Sequence, residues 1–342
     1  NDGEFGPDGD QDVIKCGSYT GNGSADGPEI NLGFEPQWVM IKGTGYSDAT
    51  GGDYRHWYMY DMMRGNIVHD GSSYASKAIK ANNSDNESGT NYNPQPTPTG
   101  FKLGANRSAT NYNGETYIYM AIRRGPLAAP TDATKVFTPV LGDGSGTPSI
   151  KTTNHITDFG IAHNKTGGGT VVGTRLLGTK QLKTHTTGAE AANSYFNWDF
   201  QNGWHTWTGL NTNYINWNWK RAPSFFDVVA FSGNSTSGRT VSHNLGVAPE
   251  LMIVKRRTGG GASWTTYVSD LGATKYLRVN NTNAVATSSG FWNNTAPTSS
   301  VFTVGNDADV NGSGEDYIAY LFATVAGVSK VGSYTGTNSS LT

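Results

Sequence analysis

The chain has 342 residues and a formal net charge of −2, and only 15% of its residues are charged. That length accommodates two or three domains, each able to bury a core unaided. The balance of sign and the lack of any long basic run exclude a broad face for nucleic acid or anionic lipid. A single cysteine, Cys16, excludes an intramolecular disulfide and a thiolate metal cluster. No stretch approaches the roughly 18 apolar residues of a membrane-spanning helix. The 45 glycines, with abundant Asn, Ser and Thr, predict short strands joined by tight turns, an all-β chain.

Asn1 to Gln11 (NDGEFGPDGDQ) is polar and Gly/Asp-rich, a linker. It has neither an initiator Met nor the basic-then-apolar layout of a signal peptide, which suggests a processed chain or a piece of a longer one. A first domain is expected over 12–126. It opens with the strand pattern Val13 to Gly21 (VIKCGSYTG), in which Cys16 is expected to be a buried, inert thiol. Leu32 to Lys42 (LGFEPQWVMIK) follows: a Gly/Pro breaker and then an apolar run, the pattern of a strand buried on both faces. Trp57-x-x-Tyr60, Phe101-Lys-Leu-Gly104 and Gly114-Glu115-x-Tyr117-Ile118 come next. The closing strand Tyr117 to Arg123 runs into Gly125-Pro126 and a linker over 127–133.

The same anchors return in order over 224–328. They are VVAFSG at Val228 to Gly233, LGVAPELMIVK at Leu245 to Lys255, Trp264-x-x-Tyr267, Phe302-Thr-Val-Gly305 and Gly314-Glu315-x-Tyr317-Ile318. The first copy is longer by about thirteen residues, placed in the surface loop Asn82 to Thr99. In the closing strand, Ile318, Tyr320 and Phe322 alternate with Tyr317, Ala319 and Leu321, so both faces are apolar, as in a central sandwich strand. Between these domains, 134–223 reads as a divergent copy, with Phe159-Gly-Ile161-Ala162 where the buried apolar run should stand. The tail 329–342 restarts the pattern at Val331-Gly-Ser-Tyr334-Thr-Gly336. The expected fold is therefore a tandem of antiparallel, jelly-roll-like β-sandwiches, three related repeats plus the start of a fourth, forming a stiff rod.

Motifs that carry chemistry do not surface. The seven histidines are scattered, and no HExxH, GxSxG or phosphate loop is present. Gly167 to Gly169 and Gly259 to Gly261 read as hairpin tips, and Glu115 and Glu315 recur with the repeat, as structural residues would. The chain is read as a non-enzyme without cofactor. Calcium is the open alternative at Asp307, Asp309 and Asn311, which match the start of an EF-hand loop, although Ile318 stands where the loop needs its bidentate Glu. A run with similar spacing, Asp8-Gly-Asp10-Gln-Asp12, lies in the linker.

Aromatic residues crowd 197–219. In YINWNWK, Ile215, Trp217 and Trp219 share one face and are expected in the core, with Tyr214, Asn216 and Asn218 opposite. Asn202, Trp204, His205 and Trp207, in a Gly-containing turn region, are the candidate glycan-binding patch. Flat rings stack on the apolar face of a pyranose, and amides satisfy its hydroxyls.

The VxSYTGNG-type opening, LGFxPxWVxIK, WxxYDxxRG (Trp57 to Gly65), GFxLG (Gly100 to Gly104) and the GExYIxxxxR closing strand together resemble a repeat domain of tail-fibre-like and other virion-surface proteins of marine, cyanophage-type bacteriophages. The resemblance covers the first and third domains; the middle one lacks the LGxxP and WxxY anchors. It implies a virion-surface, extracellular β module made in the host cytoplasm. Its expected partners are host cell-surface polysaccharide, other virion proteins and copies of itself, a trimer being the first guess, with no nucleic acid and no membrane insertion. The leading expectation is a host-recognition fibre or adhesin whose loops contact glycan. The alternative is a purely structural spacer or capsid decoration in which the aromatics are core. A depolymerase would need a carboxylate pair that no motif displays.

Overall fold

A computed structural model describes residues 11–24, 26–45, 56–65, 78–87, 94–104, 109–142, 149–192, 196–198, 200–206 and 212–337. The first eight strands are β1 (Ile14–Thr20), β2 (Glu29–Asn31), β3 (Pro36–Gly43), β4 (Tyr58–Asp61), β5 (Ala78–Lys80), β6 (Pro94–Thr97), β7 (Gly100–Leu103) and β8 (Thr116–Arg123). They pair antiparallel as a sheet β1-β8-β3-β4-β5 and a second sheet β2-β7-β6. Inward residues of both sheets, among them Ile30, Val39, Ile41, Tyr58, Phe101, Leu103 and Tyr117, close one core between them. This is the all-β sandwich expected from the alternating apolar positions.

The next eight strands follow a related plan, with the sixth strand in the larger sheet instead of beside the seventh. They are β9 (Phe137–Leu141), β10 (Ser149–Thr152), β11 (Phe159–Asn164), β12 (Thr170–Thr174), β13 (Lys180–Lys183), β14 (Ala191–Ala192), β15 (Gly203–Thr206) and β16 (Tyr214–Trp219). Their sheets run β9-β16-β11-β12-β13-β14 and β10-β15. So do the last eight: β17 (Phe226–Ser232), β18 (Arg239–Ser242), β19 (Leu251–Arg256), β20 (Trp264–Val268), β21 (Lys275–Arg278), β22 (Ala286–Thr287), β23 (Val301–Val304) and β24 (Asp316–Phe322). These form β17-β24-β19-β20-β21-β22 and β18-β23. In each group the last strand lies between the first and third, and the seventh beside the second, as in a jelly roll; the third to fifth then continue as a meander in one sheet, where a jelly roll would alternate sheets.

The sandwiches do not line up as a rod. They meet pairwise. Arg124 of the first pairs with Asp158 of the second at 2.7 Å, and Arg257 of the third with Glu190 of the second at 2.8 Å. Asn244 of the third donates to the Pro98 carbonyl of the first at 3.0 Å. The second and third also share an apolar core. Phe159 sits 5.5 Å from Phe226 and 4.8 Å from Tyr320, ring centre to ring centre. Phe137, Ile161, Val172, Leu182 and Trp219 on one side meet Val228, Ile253, Trp264 and Ile318 on the other. A sandwich sheet with two apolar faces needs a cover on its outer face, and here a neighbouring sandwich is that cover.

Two expectations about burial are corrected. Cys16 is exposed, because it stands with Ile14, Ser18 and Thr20 on the outward face of β1, which no neighbouring sandwich covers among the described residues. The long segment Asn82 to Thr99 is not all surface loop: Pro94–Thr97 is a strand paired with β7, and Pro94, Gln95 and Pro96 are buried. Residues 88–93 lie outside the described residues.

Candidate functional site at the junction of the three sandwiches

The ends of two closing strands carry the feature that organises the junction. Arg124 follows β8 and Arg221 follows β16, each two residues before a proline that turns the chain away. The preceding apolar strand commits both guanidinium groups to the interior. Arg221 grips Glu35 of the first sandwich with both terminal nitrogens, at 2.7 and 2.6 Å, and donates from Nε to Asp227 of the third at 2.7 Å. Its backbone N–H donates to Asp158 Oδ2 at 2.7 Å. Arg124 reaches the opposite way, to the same Asp158. The first sandwich thus sends an arginine to an acid of the second, and the second returns one to the first.

Arg175 completes the set. It lies 3.5 Å from Asp158 Oδ1, donates to the carbonyls of Thr157, Trp198 and Phe200 at 2.8, 2.9 and 2.7 Å, and also donates to Met63 O. Its guanidinium lies over the Trp198 ring at 5.4 Å. Three arginines therefore face three carboxylates, all largely withdrawn from water. Burial presses the Asp158 carboxyl upward, but Arg124 and Arg175 outweigh it and hold the group below the ordinary carboxylate range. Burial acts against the Arg221 charge, and Asp227 and Glu35 overcome it, so Arg221 stays protonated. Paired and hydrogen-bonded, these charges survive burial; alone they would not.

Above this network opens a cleft of about 310 Å³ lined by Gln11, Phe34, Arg123, Pro126, His243 and Asn244. Burial lowers the His243 pKa, and its ring nitrogens bond the Thr298 carbonyl and the Leu245 N–H, the pattern of a neutral ring. A second cleft of about 240 Å³ lies between the first and third sandwiches, with Glu29, Lys102, Arg239 and Asp316 on its walls.

A domain of unknown function, DUF7483, matches residues 11–126 and 170–341. The chain belongs to the DUF7483 family. No curated protein and no solved structure matches it. The matched stretches of this DUF7483 chain include Glu35, Arg124, Arg175, Arg221 and Asp227, whereas Asp158 falls in the unmatched segment 127–169.

The glycan patch expected around Trp204 does not hold as drawn. Trp204 is fully buried, packs 4.7 Å from Phe196, and donates from Nε1 to Asn218 Oδ1 at 2.7 Å. It is core and cannot serve as a stacking platform. Asn202 is exposed, and its carbonyl accepts the Thr153 N–H at 2.8 Å. His205 lies in β15, paired in register with Ile150, and Trp207 lies outside the described residues. The alternation of β16 is also corrected: Asn216 and Asn218 face the inner core, and Trp219 lies on the outer face packed against the third sandwich.

The calcium candidates have separate employments. Asp307 caps the short helix Ala308–Asn311 by accepting from the Asp309 N–H at 2.8 Å. Asp309 accepts from Ser263 N and pairs with Arg278 at 3.1 Å. Asn311, fully buried, donates to the carbonyls of Thr236 and Gly305 at 2.9 and 2.7 Å. The three do not converge as a ligand set, and no cluster of three or more His, Cys, Asp or Glu placed for a metal occurs among the described residues. The sequence signal for the true junction was the repeated basic pair before Gly-Pro and Ala-Pro, Arg123-Arg124 and Lys220-Arg221.

Proposed function

We propose that this chain is a non-enzymatic structural component of a bacteriophage virion surface, a compact spacer or decoration body. The observation that carries this reading is the reciprocal buried pairing of Arg221 with Glu35 and Arg124 with Asp158, which clamps the sandwiches into one block. Breaking such a pair is costly, so the block resists relative motion of its parts. The large aromatics support the same reading, because Trp198, Trp204 and Trp292 are fully buried in cores. The virion context rests on the motif resemblance.

A second reading, recognition of host-surface glycan, is favoured by the cleft above the network. Its volume suits a sugar unit, and Gln11, Asn244 and Arg123 offer the amides and donors that hydroxyls require. Labelled, folded chain presented to bacterial cells, with purified surface polysaccharide as competitor, separates the two. The structural reading expects no saturable binding, and gold-labelled antibody against the chain should decorate phage particles. Saturable binding that polysaccharide abolishes and Asn244→Ala weakens would transfer the conclusion to glycan recognition.

A further inference from the structure

The third sandwich shows how this fold uses the outer face of its main sheet. Phe226, Val228, Ala230, Ile318, Tyr320, Phe322, Ile253 and Trp264 stand on that face, and all pack against the outer face of the second sandwich. Like face meets like face. At one end of it Lys255, fully buried, reaches out of its own sandwich to the Thr187 carbonyl of the second at 3.2 Å.

The first sandwich carries the same face. Strand register places Ile14, Ile122 and Trp38 in one row across the sheet, and Cys16, Met120, Met40, Met59 and Ile79 in the next. Ser18, Ile118 and Lys42 form a third row. These rows occupy the positions that Phe226-Phe322-Leu251, Val228-Tyr320-Ile253 and Ala230-Ile318-Lys255 hold in the third sandwich. They stand more open than their counterparts in the third sandwich: Ile14 is 56% exposed, Ile79 44% and Ile118 38%, Cys16 is exposed, and Trp38, Met40, Met59, Met120 and Ile122 are only half-buried. An apolar face of five strands on a soluble domain marks an interaction surface.

We infer that the outer face of the β1-β8-β3-β4-β5 sheet is an interface for the same face of a second copy of this chain. The inference extends beyond the structural reading above and does not need it. The contact already made between the second and third sandwiches supplies the precedent, sheet on sheet through like faces. Charge placement supplies the orientation. Lys42 lies at one end of β3, and Asp61 lies on β4 beside Trp38 at the other end. A two-fold axis lying across the strands through the Met40 row sets Lys42 of each copy near Asp61 of the other, with apolar rows between. Isologous pairing of this kind closes on itself and builds a dimer, not a fibre. Five strands about 4.8 Å apart, over about five residues of about 3.3 Å, give a face of roughly 20 Å by 16 Å. That size belongs to small, reversible interfaces.

Sedimentation velocity of the whole chain, from low micromolar to near-millimolar concentration, tests this. The expected result is a reversible shift from monomer to twice the monomer mass, lost in Ile118→Lys and in Met40→Lys. Near-ultraviolet circular dichroism and thermal melting establish that each variant is folded. On the unaltered chain, a short bismaleimide should join two copies through Cys16, the sole cysteine, because facing sheets lie about 10 Å apart and the proposed axis runs along the Cys16 row. A chain that stays monomeric throughout overturns the inference and leaves the face to a further sandwich of a longer protein or to another partner. A dimer that persists in both folded variants also overturns it.

Discussion

Asp158 keeps its charge with almost no water around it, and the whole junction depends on that. Arg124 and Arg175 oppose the effect of burial and hold its carboxyl below the ordinary range. In the window between its folded value and about 3.9, the unfolded chain takes up a proton that the folded chain refuses. The stabilisation from Asp158 is therefore complete above about pH 4 and is lost as pH falls through the folded value. His155 and His243 have the same sign, since burial first of all depresses both. They add a loss that begins as pH falls below about 6.5. Melting temperatures across this range should show two descending steps. His155→Gln with His243→Gln should remove the upper step, and Asp158→Asn the lower, while lowering stability at neutral pH. A flat profile from pH 7 to 5 would contradict the assignment of the histidines.

A second residue-scale consequence concerns the amides inside the middle sandwich. Asn218 accepts from Trp204 Nε1 and donates to the Thr138 carbonyl at 3.0 Å, and Asn216 donates to the Val140 carbonyl at 3.1 Å. Asn218→Leu leaves a buried indole N–H and a carbonyl without partners, at a cost of about 1–3 kcal/mol. Urea unfolding should show a lower midpoint at unchanged slope. These amides explain why the alternation in YINWNWK misled. Polar residues on one face of a strand ordinarily mean solvent, but here they cross-brace β9 and a core tryptophan, and the apolar face seeks a second sandwich.

At the scale of elements, the main strands were legible wherever a breaker preceded an apolar run. LGFEPQWVMIK and LGVAPELMIVK became β3 and β19, and both closing strands, β8 and β24, stand between two neighbours. The eight-strand plan of the middle sandwich was harder to read, because Gly160 and Gly173 replace its apolar residues to make room for Phe196 and Trp204. Whether a neighbouring sandwich covers an outer face was not legible either, which is why Cys16 proved exposed while Val228, at the matching place on an edge strand, is buried. Glycines inside strands mark close approaches that sequence alone leaves ambiguous. Gly100 in β7 is one: a Cβ there would stand 1.9 Å from the Ile30 carbonyl oxygen of β2. Backbone cannot retreat as a side-chain tip can, so Gly100→Ala must part β2 from β7. A loss of about 1–3 kcal/mol follows from overpacking of this kind, measurable as a lower melting temperature. Amide exchange should rise first at Ile30, Leu32 and Leu103. Gly33→Ala, with open space at the Cβ but φ of +80°, should cost less and leave the β2-β7 exchange unchanged.

In the molecule as a whole, the two kinds of joint between sandwiches predict different modes of failure. The second and third share an apolar core through Phe159, Phe226 and Tyr320, so they should unfold together. The first is attached largely through polar groups: Arg221 to Glu35, Arg124 to Asp158, Arg175 to Met63 O and Asn244 to Pro98 O. Intact, the chain should melt in one calorimetric transition, since the buried charges are stable only while all their partners are in place. Arg221→Ala leaves Glu35 and Asp227 buried against each other without their shared cation, a loss of about 3–5 kcal/mol. Because that loss falls on the joint and not on any sandwich core, the transition should split. The first sandwich would separate at lower temperature, and the fused second and third would melt near the original one. Phe159→Ala makes the complementary case, since a cavity in the shared core lowers stability by about 3–5 kcal/mol without freeing the first sandwich. A single, uniformly shifted transition in Arg221→Ala would mean that the three sandwiches are held by their apolar contacts, and that the ion network adds specificity of docking and little cohesion.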